Sequence, residues 1–421
     1  MIRKIVTLIL LISVGLVYAQ SGTISPYSFA GLGEINFRGT QINRFMGGLE
    51  VYNDSIHANL TNPSSYAKLK LTNYTLGLNY SINNLTDASA SKSIASASLD
   101  YIGVALPTRH FGFGFGIIPY TSVGYKISHA ENDTDDNIEV LNVFQGDGGI
   151  NKAFFSVGFN VLKFLSLGAT FNYNFGQITQ ETGSYQNEVV LGTILENKSS
   201  ISGYDLKFSA HFEIPLSELL EFQALFSFAP QANLTSTNSR NFLTRSFSEQ
   251  IGFGQVIEID LTDIGLDKTN VKIPSVISFG TGVGKEREWF LGGQYTINAM
   301  GDFSNRFMNF SNVDYQNGYQ ISLGGFYIPD FSSITSYWKR IVFRMGFRHQ
   351  LTGVVINNFG IKETGINFGF GLPLAGFSNA NIGFEYGNRG TGINNLYKEN
   401  FWSFRIGFSL NDRWFVKRKY N

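Results

Sequence analysis

Apolar side chains recur at every second position along most of this chain, and that regularity constrains the fold more than any other feature of the sequence. Near the C-terminus Trp402, Phe404, Ile406, Phe408 and Leu410 alternate with Ser403, Arg405, Gly407 and Ser409. Successive side chains of a strand point to opposite faces, so one face is greasy and the other polar or small. The pattern returns at Tyr74, Leu76, Leu78, Tyr80, at Phe155, Val157, Phe159, Val161, and at Tyr204, Leu206, Phe208, Ala210, Phe212. A soluble sandwich would also alternate, but it would carry charge on the water-facing side. Here the second face is Gly, Ser, Asn and Thr, and charged residues make up only 15% of the chain, against roughly 25% in soluble domains. That economy suits an all-β transmembrane antiparallel β-barrel, with apolar side chains toward lipid and small or polar ones toward an enclosed lumen. Closure also satisfies every backbone donor and acceptor in hydrocarbon.

The alternation predicts strands near 69–81, 95–107, 111–128, 151–162, 164–180, 200–214 and 219–233. Seven more fall near 272–284, 287–299, 316–328, 339–351, 362–373, 380–388 and 400–410. The total is about 14 strands within a barrel spanning 68–415. The stretches 137–147 and 238–260 could each hide another, so 16 strands is the competing count. Each strand has far more chain available than the ~10 residues needed to cross, which predicts several long extracellular loops.

Three segments lie outside the barrel. Arg3 and Lys4 precede an apolar run from Ile5 to Val17 that closes on Val17-Tyr18-Ala19, so residues 1–19 read as a signal peptide. The run is shorter than the ~20 apolar residues of a spanning helix. Residues 20–67 lack clean alternation, are rich in Gly, Asn and Ser, and still carry Phe29, Phe37, Phe45, Met46 and Tyr52. A wide barrel leaves room for such a segment to fold inward as an N-terminal hatch in the lumen. Residues 416–421, with Lys417, Arg418 and Lys419, form a basic C-terminal tail. The chain departs from the terminal Phe of many barrels.

Met46-Gly47-Gly48, Asp54-Ser55 and Asn62-Pro63-Ser64-Ser65-Tyr66-Ala67, followed by the first strand, resemble the start of FadL-type outer-membrane transporters of hydrophobic compounds. The Bacteroidetes branch of that family opens with a segment like Ser25-Pro26-Tyr27-Ser28. The resemblance implies a fourteen-stranded barrel in the bacterial cell outer membrane. It also implies a hatch gated around Met46, Gly47, Gly48, Asn62, Pro63 and Ser64, and passive uptake of small hydrophobic or amphipathic compounds, in some members through a side opening at a kinked third strand. Pro119 interrupts the third alternating segment and cannot donate to a ladder, which makes it the candidate lateral-gate kink. The alternative is a non-transporting FadL-like barrel serving a protein-secretion or surface-attachment complex, with a periplasmic or secretion-machine protein as partner.

Other chemistries find little support. Lys+Arg and Asp+Glu stand at 32 each, without the basic surplus of a nucleic-acid binder. No Cys is present and the His residues are scattered, so no metal site, cofactor or catalytic group is expected. Gly280-Thr281-Gly282-Val283-Gly284-Lys285 fails as a phosphate loop because Phe279 and Glu286 stand where Gly and Ser or Thr are required. The acidic run from Glu131 to Glu139 lacks the central Gly and distal Glu of a calcium loop. No Gly-x-Ser-x-Gly elbow occurs, so the chain reads as a non-enzyme. The expected partners are outer-membrane lipid, lipopolysaccharide and a small hydrophobic ligand. The alternation turns Lys207, Arg344, Arg348 and Arg405 toward the lumen, where they are expected to pair with acidic neighbours or with hatch residues, because an unpaired charge there is costly.

Overall fold

A computed structural model describes residues 22–87, 90–132, 138–246, 254–394 and 396–414. The expected signal peptide and the basic tail lie outside the described residues, as do Asp133, Asp135 and Asp136 of the acidic run. No described helix is long and apolar enough to cross a membrane.

The wall strands on one side are β1 (Thr72–Thr86), β2 (Ser91–Pro107), β3 (Phe111–Asn132), β4 (Ile138–Leu162), β5 (Leu165–Gln186), β6 (Leu191–Pro215) and β7 (Glu221–Ala229). The circuit continues with β8 (Val276–Lys285), β9 (Trp289–Asn298), β10 (Gly318–Tyr327), β11 (Val342–Ile356), β12 (Phe359–Pro373), β13 (Asn379–Gly390) and β14 (Lys398–Asp412). Each pairs antiparallel with the next, and β14 pairs with β1 over Lys398–Asp412 and Thr72–Thr86, which closes a 14-stranded barrel. Side chains alternate as the sequence requires. Phe155, Phe171, Phe208, Phe279, Leu323, Met345 and Phe404 are exposed on the outside, while Ser156, Thr170, Ser209, Ser278, Ser322 and Ser403 are buried inside.

The wall is lopsided. Strands β3 to β6 run for 22, 25, 22 and 25 residues, while β7 to β10 have 9, 10, 10 and 10. The stretch 138–147 lengthens β4 rather than adding a crossing. The far part of β6 pairs with a strand at Ala232–Ser246, which in turn holds Val256–Ile259 and Lys268–Ile273. These three sit above the short strands and make no further crossing, so the 16-strand count is excluded. Chain length expected in loops is instead spent largely on strands that outrun the bilayer.

At the end away from the strand termini, the β9–β10 connection folds inward. There Met300, Phe303, Phe307 and Met308 pack against Tyr120, Val123, Ile150, Ile178 and Ile201 of the tall side and Leu234 of the Ala232–Ser246 strand. The N-terminal segment lies inside the wall along much of its height, from Tyr27 and Ala30, which pack with Val313 and Ile356, and Leu32, which packs with the cap, down to Ala58 and Leu60 beside Tyr66. It contains 3-10 turns at Pro26–Phe29 and Pro63–Lys68, a short strand at Glu34–Ile35 and helix α1 (Gln41–Phe45). Ser25 caps the first turn by accepting from the Tyr27 amide, and Pro63 begins the second, where its missing N–H is no loss. The first wall strand begins at Thr72.

Candidate functional site

Backbone against backbone holds the N-terminal segment to the wall. Gly47 and Gly48 adopt φ of 73° and 88°, a conformation that favours glycine, and the turn they make rests on β10 and β11. A Cβ on Gly346 would lie 1.9 Å from the Gly47 nitrogen, and one on Gly324 would lie 2.4 Å from the Met46 carbonyl. Met46 itself packs with Leu49, Val51, Leu225, Phe290 and Phe326. Asn62, Pro63 and Ser64 lie against β5 and β6, where a Cβ on Gly168 would fall 2.3 Å from the Ser64 nitrogen. The Ser64 amide donates to Ser209 Oγ at 2.8 Å, and Ser209 Oγ donates to Asn62 Oδ1 at 2.9 Å. The six residues singled out in the sequence therefore form two seats against the wall on opposite sides of the lumen.

Charges form a second set of fastenings. Lys207 meets Glu50 of the N-terminal segment at 2.8 Å. Arg44 of α1 is bidentate to Glu385 at 2.7 and 2.8 Å, and Arg348 donates to the same carboxylate at 2.9 Å and to Glu363 at 2.5 Å. Arg405 meets Asp100 at 2.7 Å and Glu385 at 3.6 Å. Arg389 joins Glu363 at 2.8 Å, Glu399 at 3.4 Å and Glu34 of the N-terminal segment. Arg344 differs, since it donates to Asn381 at 2.9 Å and has no carboxylate within 4.0 Å among the described residues.

Alternation shows which way Lys207, Arg344, Arg348 and Arg405 point. It also turns Glu363, Arg389 and Glu399 inward, but that these three meet follows from the cross-strand register of β12, β13 and β14, while Glu50 lies in the N-terminal segment and Asp100 at a break in the β1–β2 ladder.

At the lower end of the segment, His57 Nδ1 lies 2.5 Å from Asp54 and its Nε2 lies 3.0 Å from Asn379 Nδ2. Burial alone would raise the Asp54 carboxyl. The His57 ring and the amides of Ile56 and His57 hold it instead well below the usual carboxylate range.

The wall itself forks at Pro119. Strands β2 and β3 pair only over Ile102–Pro107 and Gly112–Ile117. Beyond that, β2 stays with β1 and β3 stays with β4, with a register shift between Pro119 and Thr121. Among the described residues the only strand on the freed edge of β3 is Glu34–Ile35, which pairs with Ser122 and Thr121. The resulting gap of about 810 Å³ is bounded by lipid-facing Leu78, Tyr80, Leu99, Phe404 and Ile406 and by inward Asn79 and Ser98. An interior cavity of about 290 Å³ shares Asn36, Phe37, Asn79, Ser98 and Thr121 with it, so the same side chains line the lumen space and the gap. Arg38 stands in this cavity, 5.8 Å from the Tyr120 ring.

Among the described residues no group of His, Asp and Glu is arranged to hold a metal. A family model described as BamG matches residues 1–421. Among curated proteins nothing matches. Solved structures that share the fold include the toluene transporter TodX of Pseudomonas putida, at 13% identity and a TM-score of 0.59, covering 90% of this chain and 99% of that one. The Ralstonia pickettii toluene transporter TbuX gives 11%, 0.57, 90% and 100%, and a Pseudomonas aeruginosa FadL homologue gives 11%, 0.54, 90% and 99%.

Proposed function

The chain belongs to the BamG family, and from that premise, with the forked wall beside a filled lumen, we propose that it is a FadL-type outer-membrane channel for passive passage of small hydrophobic or amphipathic compounds. The fold it shares with TodX and TbuX supports this reading, as does the Ser25–Ser28 opening of the Bacteroidetes branch. The end bearing the strand termini faces the periplasm, and the tall side of β3 to β6 projects outside, among lipopolysaccharide. The N-terminal segment is the hatch, seated through Met46 to Gly48 and Asn62 to Ser64. Pro119 is the kink of the lateral gate.

One observation carries the proposal: the interior cavity and the gap at the Pro119 fork share lining residues, and the gap reaches side chains on the outer face of the wall. The straight route is blocked by the apolar cap and by the hatch that packs against it, so sideways exit is the path the wall leaves. No reacting group is needed, in keeping with a non-enzyme.

The second reading, a scaffold in a secretion or surface-attachment complex, is favoured by the projecting wall, where Phe144, Phe242 and Ile257 are exposed well beyond the belt. Bridging cysteines placed at Ser98 and Thr121 separates the two. The native chain has no Cys, so only the introduced pair reacts. Uptake of an apolar dye by proteoliposomes should stop when a short thiol cross-linker spans the lips. Undiminished uptake would overturn the gate.

A further inference from the structure

We propose that Asp100 is the latch of this opening, a positioning residue that locks the β2 lip to the hatch so that lip and hatch can only move together. The inference rests on reading the fork as a gate.

The β1–β2 ladder passes from Gly77 opposite Tyr101 to Leu78 opposite Leu99, and Asp100 has no cross-strand partner in it. Such a bulge breaks the alternation of facing, and here it turns two successive residues, Asp100 and Tyr101, inward. Gly77 provides the room, since a Cβ there would come 2.3 Å from the Tyr101 ring. Both inward side chains grip one residue, Gln41 at the start of α1. Its side-chain amide donates to Asp100 Oδ2 at 2.6 Å, and its backbone amide donates to the Tyr101 hydroxyl at 3.0 Å.

The grip continues into a closed circuit. Asp100 also accepts from Arg405 at 2.7 Å, Arg405 approaches Glu385, and Glu385 holds Arg44 at the other end of α1. Starting from α1, the circuit runs through the wall and back to α1, and Asp100 is its member on the free lip. The bulge stands two residues from Ile102, where β2 and β3 part, opposite the second bulge at Pro119. Asp100 lines both the gap and the interior cavity. Swinging β2 outward would break its bonds to Gln41 and Arg405. Lifting α1 would break the same bond to Gln41. Charge-assisted hydrogen bonds are the strong ones, so neither motion proceeds while Asp100 holds.

The test uses full-length protein in liposomes, spin-labelled at Lys92→Cys and Lys126→Cys on the two lips, and needs no cargo. Asp100→Asn should lengthen and broaden the lip-to-lip distance seen by pulsed electron resonance. It should also speed amide exchange over residues 41–48 by about tenfold or more, the factor expected for losing a charge-assisted hydrogen bond. Gln41→Ala, which leaves Asp100 with Arg405, should do the same to a smaller degree, and it decides the matter if the first variant fails to fold. Unchanged distances, or open lips without faster exchange in α1, would overturn the latch. Lips that open with α1 while dye uptake stays absent would keep the latch and sink the transport reading instead.

Discussion

Arg405 and Ile406 are neighbours in sequence that face opposite surroundings, one inside an ion-pair circuit and the other against lipid. Period-two alternation makes that difference readable without a structure, and it places Lys207, Arg344 and Arg348 as well. What alternation cannot supply is register. The sequence by itself makes Arg405→Ala look mild, but Arg405 is a partner of both Asp100 and Glu385, and its removal leaves buried carboxylates short of donors. The expected cost is on the order of 1 to 3 kcal/mol. Ile406→Arg should cost about 2 to 4 kcal/mol if the position lies at the bilayer midplane. Urea titration of folding into liposomes checks both, and an unaffected Ile406→Arg barrel would contradict the facing.

Strands were the most legible elements. All fourteen crossings coincide with alternating segments, because a lipid-facing side chain at every second position is obligatory for each. Their lengths were not legible, since beyond the bilayer β3 to β6 keep pairing on ordinary mixed residues such as those of Glu181–Gln186. The seats of the N-terminal segment were visible as Met46-Gly47-Gly48 and Asn62-Pro63-Ser64, but the glycines that receive them, Gly324, Gly346 and Gly168, carry no mark in the sequence. The Asp54–His57 pair adds a pH-sensitive point at the lower end of the N-terminal segment. A carboxyl held below its unfolded value contributes stability that is present above about pH 4 and is lost as pH falls through the lowered native value. A spin label at Ser55→Cys should therefore gain mobility on acidification below about pH 4. Asp54→Asn should be mobile already at neutral pH and flat across the range, whereas a pH response that survives the substitution would place the titrating group elsewhere.

For the molecule as a whole, the apolar cap and the N-terminal segment pack against each other inside the wall. Deleting residues 20–67 should leave a barrel that still inserts, because the β1–β14 seam is made downstream of them, and should raise conductance in planar bilayers over a silent full-length channel. Silence from both forms would mean that the cap alone suffices.

The glycine seats also dictate how the filling can depart. Where main chain rests on main chain with no side chain between, as Gly47 does on Gly346, the two surfaces are keyed like a bolt in a slot. A rigid piston stroke along the axis would drive peptide groups through one another. Departure must instead begin at a loose end and travel inward one contact at a time, so that extraction by force should show a staircase of small ruptures in place of one large one.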